Sequence, residues 1–315
     1  MISLRYHIVS IAACFLALAI GVVLGSTALN GALLSGLAGQ KEDLGTQVAD
    51  LEAQRNTLNA RLGDADAFAG AMGPKVVAGQ LDKRSVVLVT TEDAKPADRD
   101  ALKQLVGQSG AAVTGEIQLT EAFSDPMRSD QLRDVVSRLQ PAGVQFPTAG
   151  DPGTLAGALI GSVALLNKDN AQPQSTPVEL AAALGGLTDG GFLKTGGDVK
   201  PAQLAIVLTG SKYTGDGAGD RASTIARFAA QLDRSGAGTV LAGGAGSADG
   251  TGAIGVVRAD TSSTSILSTV DNAETAAGRV TTILALREQL EGGAGRYGIA
   301  GNAQAPAPGI AADGN

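Results

Sequence analysis

Soft-metal chemistry in this chain would have to come from five side chains, since the 315 residues hold one Cys, one His and three Met. A soft ion such as Cu(I) prefers thiolate and thioether, with imidazole acceptable, and the donors are Met1, His7, Cys14, Met72 and Met127. His7 and Cys14 share a helical face but sit about 10.5 Å apart along the axis, too far to chelate one ion together. Met72 and Met127 fall on different expected segments. No metal site is therefore assigned, and the same counts exclude a disulfide scaffold and a zinc finger.

The second chemistry to weigh is phosphate binding. Thr209-Gly210-Ser211 with Gly215, Gly217, Gly219 and Asp220 forms a glycine-rich connection between a strand and a helix, and Gly243, Gly244, Gly246, Gly250 and Gly252 form another. Neither matches G-x-G-x-x-G or a P-loop, and Lys212 is misplaced for the latter, so both read as flexible connectors. His7 lies at the edge of an apolar stretch, which leaves the rest of the chain without a His base or a Ser-His-Asp triad. Asp98 with Asp100 and Asp216 with Asp220 read as solvated capping residues. The expectation is no enzyme, no catalytic residue and no cofactor.

With 24 basic and 31 acidic side chains the chain carries a net charge of −7, which leaves no basic surplus for a nucleic acid. Hydrophobic residues make up 44% and aromatics only 3%, so the core must be aliphatic.

The elements that position these residues begin with an apolar run. Nothing between Ile8 and Gln40 is charged, and Ile8 to Leu29 would make a helix of roughly 33 Å, long enough to span a bilayer core. A cleaved signal peptide, with Ser26 and Ala28 at −3 and −1, competes with this reading, but the run exceeds the usual apolar region of a signal. Arg5 precedes the span, and Lys41, Glu42 and Asp43 follow it. The positive-inside rule then puts the amino terminus in the cytoplasm and exports the bulk of the chain. Ala13, Ala17, Gly21 and Gly25 line one face with small side chains, which suits close helix packing.

Leu37, Leu44, Leu51 and Leu58 recur every seven residues, and Leu34, Val48 and Leu62 hold the complementary position with Lys41 and Arg55 between them. This narrow stripe is the seam of a parallel coiled coil. The charges inside it favour a homodimer, with Leu37, Leu44, Val48, Leu51, Leu58 and Leu62 as the contact.

Beyond Met72-Gly73-Pro74 the pattern is α/β. Strands are expected at Ser85–Thr90, Ala112–Leu119, Leu204–Thr209, Thr239–Ala242, Ala253–Arg258 and Ser265–Val270. Helices are expected from Pro96 and over Ser129–Leu139, Leu155–Leu166, Pro177–Leu187, Asp220–Leu232 and Thr275–Leu290. Such alternation predicts a doubly wound, Rossmann-like mixed sheet. The organisation is thus a tip and transmembrane helix over 1–30, a coiled coil over 31–70, an exported α/β domain over 75–301 and a disordered Pro/Ala/Gly-rich tail over 302–315.

Four stretches carry a family resemblance: MISLRYHIVSIAACFLALAIGVVLGS, KEDLGTQVADLEAQRNTL, IARFAAQLDRSGAGTVLAGGAGS and STVDNAETAAGRVTTILALREQLEGGAGRYG. Together they resemble the actinobacterial copper transport protein B family of channel-forming outer-membrane proteins. The resemblance implies a role in copper homeostasis or efflux, an envelope location, and copper as transported ion rather than cofactor. It carries over no ligand motif. Related corynebacterial proteins are associated with septum formation, which implies as alternative a single-span scaffold that pairs with a second membrane protein and influences an envelope peptidoglycan hydrolase.

Overall fold

The computed structural model describes residues 4–148 and 150–309, and the side chains of these except 27–39. The chain divides into two units, Met1–Ala65 and Asp66–Asn315. Helix α1 (Leu4–Val77) contributes to both.

In the first unit α1 opens with an apolar stretch, Leu4–Ser26, of 23 residues and mean hydropathy 2.7, none of it buried. At 1.5 Å per residue this is about 34 Å of helix, a match for a bilayer core of about 30 Å. Leu44, Val48, Leu51, Leu58 and Leu62 are all exposed, from 53% at Val48 to 68% at Leu62. The side chain of Leu37 lies outside the described residues.

The second unit is a seven-stranded sheet in the order β3-β2-β1-β4-β5-β6-β7. Its strands are β1 (Ser85–Thr90), β2 (Ala112–Leu119), β3 (Leu193–Thr195), β4 (Leu204–Thr209), β5 (Thr239–Gly243), β6 (Ser268–Val270) and β7 (Arg296–Tyr297). All neighbours pair in parallel except β2 with β3. The helices of this unit after α1 are α2 (Pro96–Gln108), α3 (Glu121–Ser124), α4 (Ser129–Arg138), α5 (Pro152–Ala164), α6 (Pro177–Asp189), α7 (Ala218–Ser235), α8 (Ala253–Ala259), α9 (Thr261–Thr264) and α10 (Ala276–Leu290).

Buried parallel strands are apolar on both faces, and the LAIVLT of β4 shows how the residues divide. Leu204, Ile206 and Leu208 pack with Leu102, Leu105 and Val106 of α2 and Ile283 and Leu286 of α10. Ala205 and Val207 face the opposite core with Leu159 and Ile160 of α5, Phe228 of α7 and Ile254 of α8. Three phenylalanines, Phe123, Phe192 and Phe228, are among the largest fully buried side chains, and Phe123 meets Phe228 edge to face with centroids 5.3 Å apart.

Glycine explains the closest helix pair. Gly153, Gly157 and Gly161 line α5, and a Cβ on them would stand 2.2 Å from Thr224 O, 2.7 Å from Phe228 O and 2.4 Å from Ser235 Oγ. The backbones of α5 and α7 therefore touch where no side chain fits.

Several sequence expectations change. Ala253–Arg258, expected as a strand, is helix α8, because a short apolar run carries either period and burial of Ile254 and Val257 against α7 decides it. The strand expected over Ser265–Val270 shrinks to β6, since Asp260 caps α9 and the Leu267 amide still donates to Ser263 O. Of the tail expected to be disordered over 302–315, the described part, Asn302–Gly309, is pinned at several points, and 310–315 lie outside the described residues. Gln304 N donates to Arg296 O at 2.7 Å, Ala305 is 9% exposed, and the Asn302 amide donates to Ala248 O at 3.0 Å. Asp66 lies well before the boundary expected at 75, and its Oδ1 accepts from Ala276 N at 2.6 Å, closing the amino end of α10.

Candidate functional site

The two glycine-rich connectors meet at one place. The strand order leaves β1 between β2 and β4, so the chain departs from the sheet centre in opposite directions on either side. In open α/β sheets a crevice forms there, outside the carboxyl ends of the strands. Here it has a volume of about 380 Å³ and is bordered by Asp93 after β1, Thr209 at the end of β4, Gly210 and Lys212 after it, Gly244 after β5 and Glu274 after β6.

Local backbone chemistry shapes it. Gly244 N donates to Gly210 O at 2.9 Å, drawing the loops after β4 and β5 together. A Cβ on Gly210 would lie 2.4 Å from Asp93 O and 2.5 Å from its Oδ2, so a side chain there is excluded by the Asp93 backbone carbonyl. Ser211 Oγ donates to Ala245 O at 2.5 Å, and Lys212 Nζ to Asp249 Oδ2 at 2.8 Å. The Thr91 hydroxyl donates to Asp93 Oδ1.

Glu274 is shifted by its surroundings in the crevice. Partial burial raises its pKa, the charge of Asp98 adds to the rise, and backbone amides of Glu274 and Ala245 with Lys95 oppose it. Asp98 itself stands 3.7 Å from Arg279 Nη1. On the other side of Asp93 a smaller cavity of about 180 Å³ contains Tyr213 and Arg221. Burial above all pushes the Tyr213 phenol far up, so it is a hydroxyl at every ordinary pH. Arg221 Nη1 pairs with Glu121 Oε1 at 3.0 Å.

The residues singled out from sequence separate into two groups. Gly210, Gly243 and Gly244 come together at the strand ends. Ala13, Ala17, Gly21 and Gly25 lie along α1, with open space around both glycines. Met1 lies outside the described residues, and the described soft donors do not converge in either unit: His7 and Cys14 are exposed on α1, Met72 is half-buried, and Met127 is 92% exposed. Among the described residues no three His, Cys, Asp or Glu side chains assemble as a metal site. Thr209 is singled out in the sequence with its glycine-rich connection, whereas Asp93 and Glu274 escape sequence reasoning because no local spacing unites residues from separate strand ends. The one available signal was their shared position just after an aliphatic run.

Among the described residues, these features define a protein with one apolar helix of membrane-spanning length and a mixed α/β unit whose loops enclose a crevice edged by Asp93, Lys95, Lys212 and Glu274. The family model described as copper transport outer membrane protein, MctB, matches residues 1–308, and the chain belongs to that family. A Mycobacterium tuberculosis protein named copper transporter MctB is 42% identical over 303 residues, covering 95% of this chain and 96% of the relative. The Mycobacterium leprae protein of the same name is 42% identical over 307 residues, with the same coverage.

Proposed function

We propose that this chain acts in copper transport or efflux across the envelope, as a homodimer anchored by α1 with its α/β unit exported. The observation that carries this reading is the family match over 1–308, which includes the apolar helix as well as the α/β unit. Anchoring is supported by the 23-residue apolar stretch, and orientation by Arg5 before it and Lys41, Glu42 and Asp43 after it.

The dimer is supported by exposed leucines seven apart on one helix, a pattern that a parallel coiled coil buries in a partner. The strand order and the helices on both sheet faces favour a doubly wound, Rossmann-like reading of the α/β unit. The scattered soft donors argue that copper is not held by the α/β unit, so the chain works through its assembly or a partner, and not as an enzyme.

Deletion of the gene followed by copper challenge tests the proposal. Copper sensitivity, restored to normal by the full chain, is expected. Unchanged copper tolerance together with septation defects would overturn it in favour of the envelope scaffold.

A further inference from the structure

The end of α1 meets the α/β unit through Asp66, Gly73 and Val77. Asp66 Oδ1 accepts from Ala276 N at 2.6 Å, a Cβ on Gly73 would lie 2.8 Å from Val280 Cγ2, and Val77 is fully buried in the core that holds Leu102 and Ile283. Phe68, Met72 and Val76, each four residues from the next, occupy another face, roughly 120° round the helix. There Phe68 is 68% exposed and Val76 47%, with Met72 half-buried between them. A single exposed apolar side chain needs no explanation, but a contiguous apolar face marks a contact.

The spacing identifies what covers that face. Leu44, Leu51 and Leu58 are followed at the same interval by Ala65 and Met72, and Val48, Arg55 and Leu62 by Ala69 and Val76. The seven-residue period of the seam therefore runs unbroken into this face, and a helix of the same period is its natural complement. Phe68 sits at the flanking position that faces the partner in a parallel pair. Ala65 and Ala69 beside it are small, which leaves its ring room to lie over the seam. Lipid is not the cover, because the apolar stretch ends at Ser26, about twelve helical turns before Phe68.

We propose that Phe68, Met72 and Val76 are covered by the same face of a second copy, so that the dimer seam runs on past Leu62 to the foot of the α/β unit. The inference rests on the coiled-coil dimer proposed above and adds to it an aromatic, apolar contact made by residues of the α/β unit's own helix end.

The test is cross-linking of the full chain in detergent micelles with a short bis-maleimide, in a Cys14→Ser background. Val76→Cys reports the proposed face, Asn59→Cys the seam before it, and Ala67→Cys an exposed position on the far side of the helix; circular dichroism verifies that each variant folds. Efficient dimer cross-linking is expected for Val76→Cys and Asn59→Cys, and its loss for Ala67→Cys. The chain has no Trp, so Phe68→Trp adds a single fluorophore. Its emission should lie to the blue of a solvated indole and shift to the red when Leu44, Leu51 and Leu58 are changed together to Asp. A cross-link with Asn59→Cys but none with Val76→Cys, equal yields with Val76→Cys and Ala67→Cys, or solvated emission from Phe68→Trp would each overturn the extension and leave the dimer standing. Loss of the cross-link with both Asn59→Cys and Val76→Cys would overturn the two together.

Discussion

Arg258 Nη1 lies 2.6 Å from Asp271 Oδ2, with both side chains 2% exposed. The pair is fully furnished with partners. Arg258 also donates to Thr269 Oγ1, Asn302 Oδ1 and Tyr297 O, while Asp271 accepts from the amides of Ile299 and Ala300. One buried pair thus ties α8, β6, β7 and the segment after β7 into a single knot. Desolvating two charges is costly, so such a pair adds little net stability, but removing one partner strands the other. Asp271→Ala should therefore destabilise the chain by about 3–5 kcal/mol. Denaturant unfolding checks this, and hydrogen exchange should show residues 296–305 losing protection first.

The glycine stripe of α5 gives a second prediction with an internal control. Replacing a helical glycine by alanine favours the helix by about 1 kcal/mol when space allows. Gly185 in α6 has nothing within 4 Å of a new Cβ, whereas Gly153 would meet Thr224 O at 2.2 Å. Gly185→Ala should raise the melting temperature and Gly153→Ala should lower it. Equal effects would remove the argument that α5 and α7 touch through their backbones.

Asp233 sets a pH dependence. Burial raises its pKa to about 7, against the opposing pull of the Thr239 amide, Arg234 and Lys168. An acid whose folded pKa exceeds its unfolded value of about 3.9 contributes stability that is complete below the lower value and lost as pH rises through the upper one. Stability should accordingly fall between about pH 4 and 7. Asp233→Asn keeps an acceptor for Thr239 N, 2.7 Å away, and should flatten that slope. Denaturation midpoints at pH 5 and pH 8 provide the comparison.

Much of the sheet was legible because β1, β4 and β5 are short unbroken aliphatic runs, and only a strand buried on both faces needs that pattern. The pieces that were not legible are small or ambiguous. β3 and β7 have three and two residues, too few for any period to show, and they form only because neighbouring strands present open edges. Ala253–Ala259 contains Ile and two Val, which suit a strand, yet α7 supplies a surface that only a helix fills. The Gly153, Gly157, Gly161 stripe could have been read from spacing alone. The crevice could not: Asp93, Thr209 and Glu274 are brought together by strand order, which no local window contains.

The proposed coiled-coil seam on α1 predicts association. In a Cys14→Ser background, Asn59→Cys should give an efficient cross-link between two copies with a bifunctional thiol reagent that spans the seam. Changing Leu44, Leu51 and Leu58 together to Asp should abolish it, because charged side chains at the core positions of a coiled coil are strongly unfavourable. A cross-link that survives the triple change would remove the coiled coil.

The central claim, that copper is moved through the anchored assembly and not held by soft ligands of the α/β unit, is tested most directly by cellular copper content. Copper accumulated by a deletion strain under copper challenge is measured by mass spectrometry after complementation with three forms of the chain. The wild type and the Met72→Leu, Met127→Leu double variant should both return copper to the normal level, while the triple Asp seam variant should leave it elevated. Full correction by the seam variant, or failure of the double Met variant, would contradict the account.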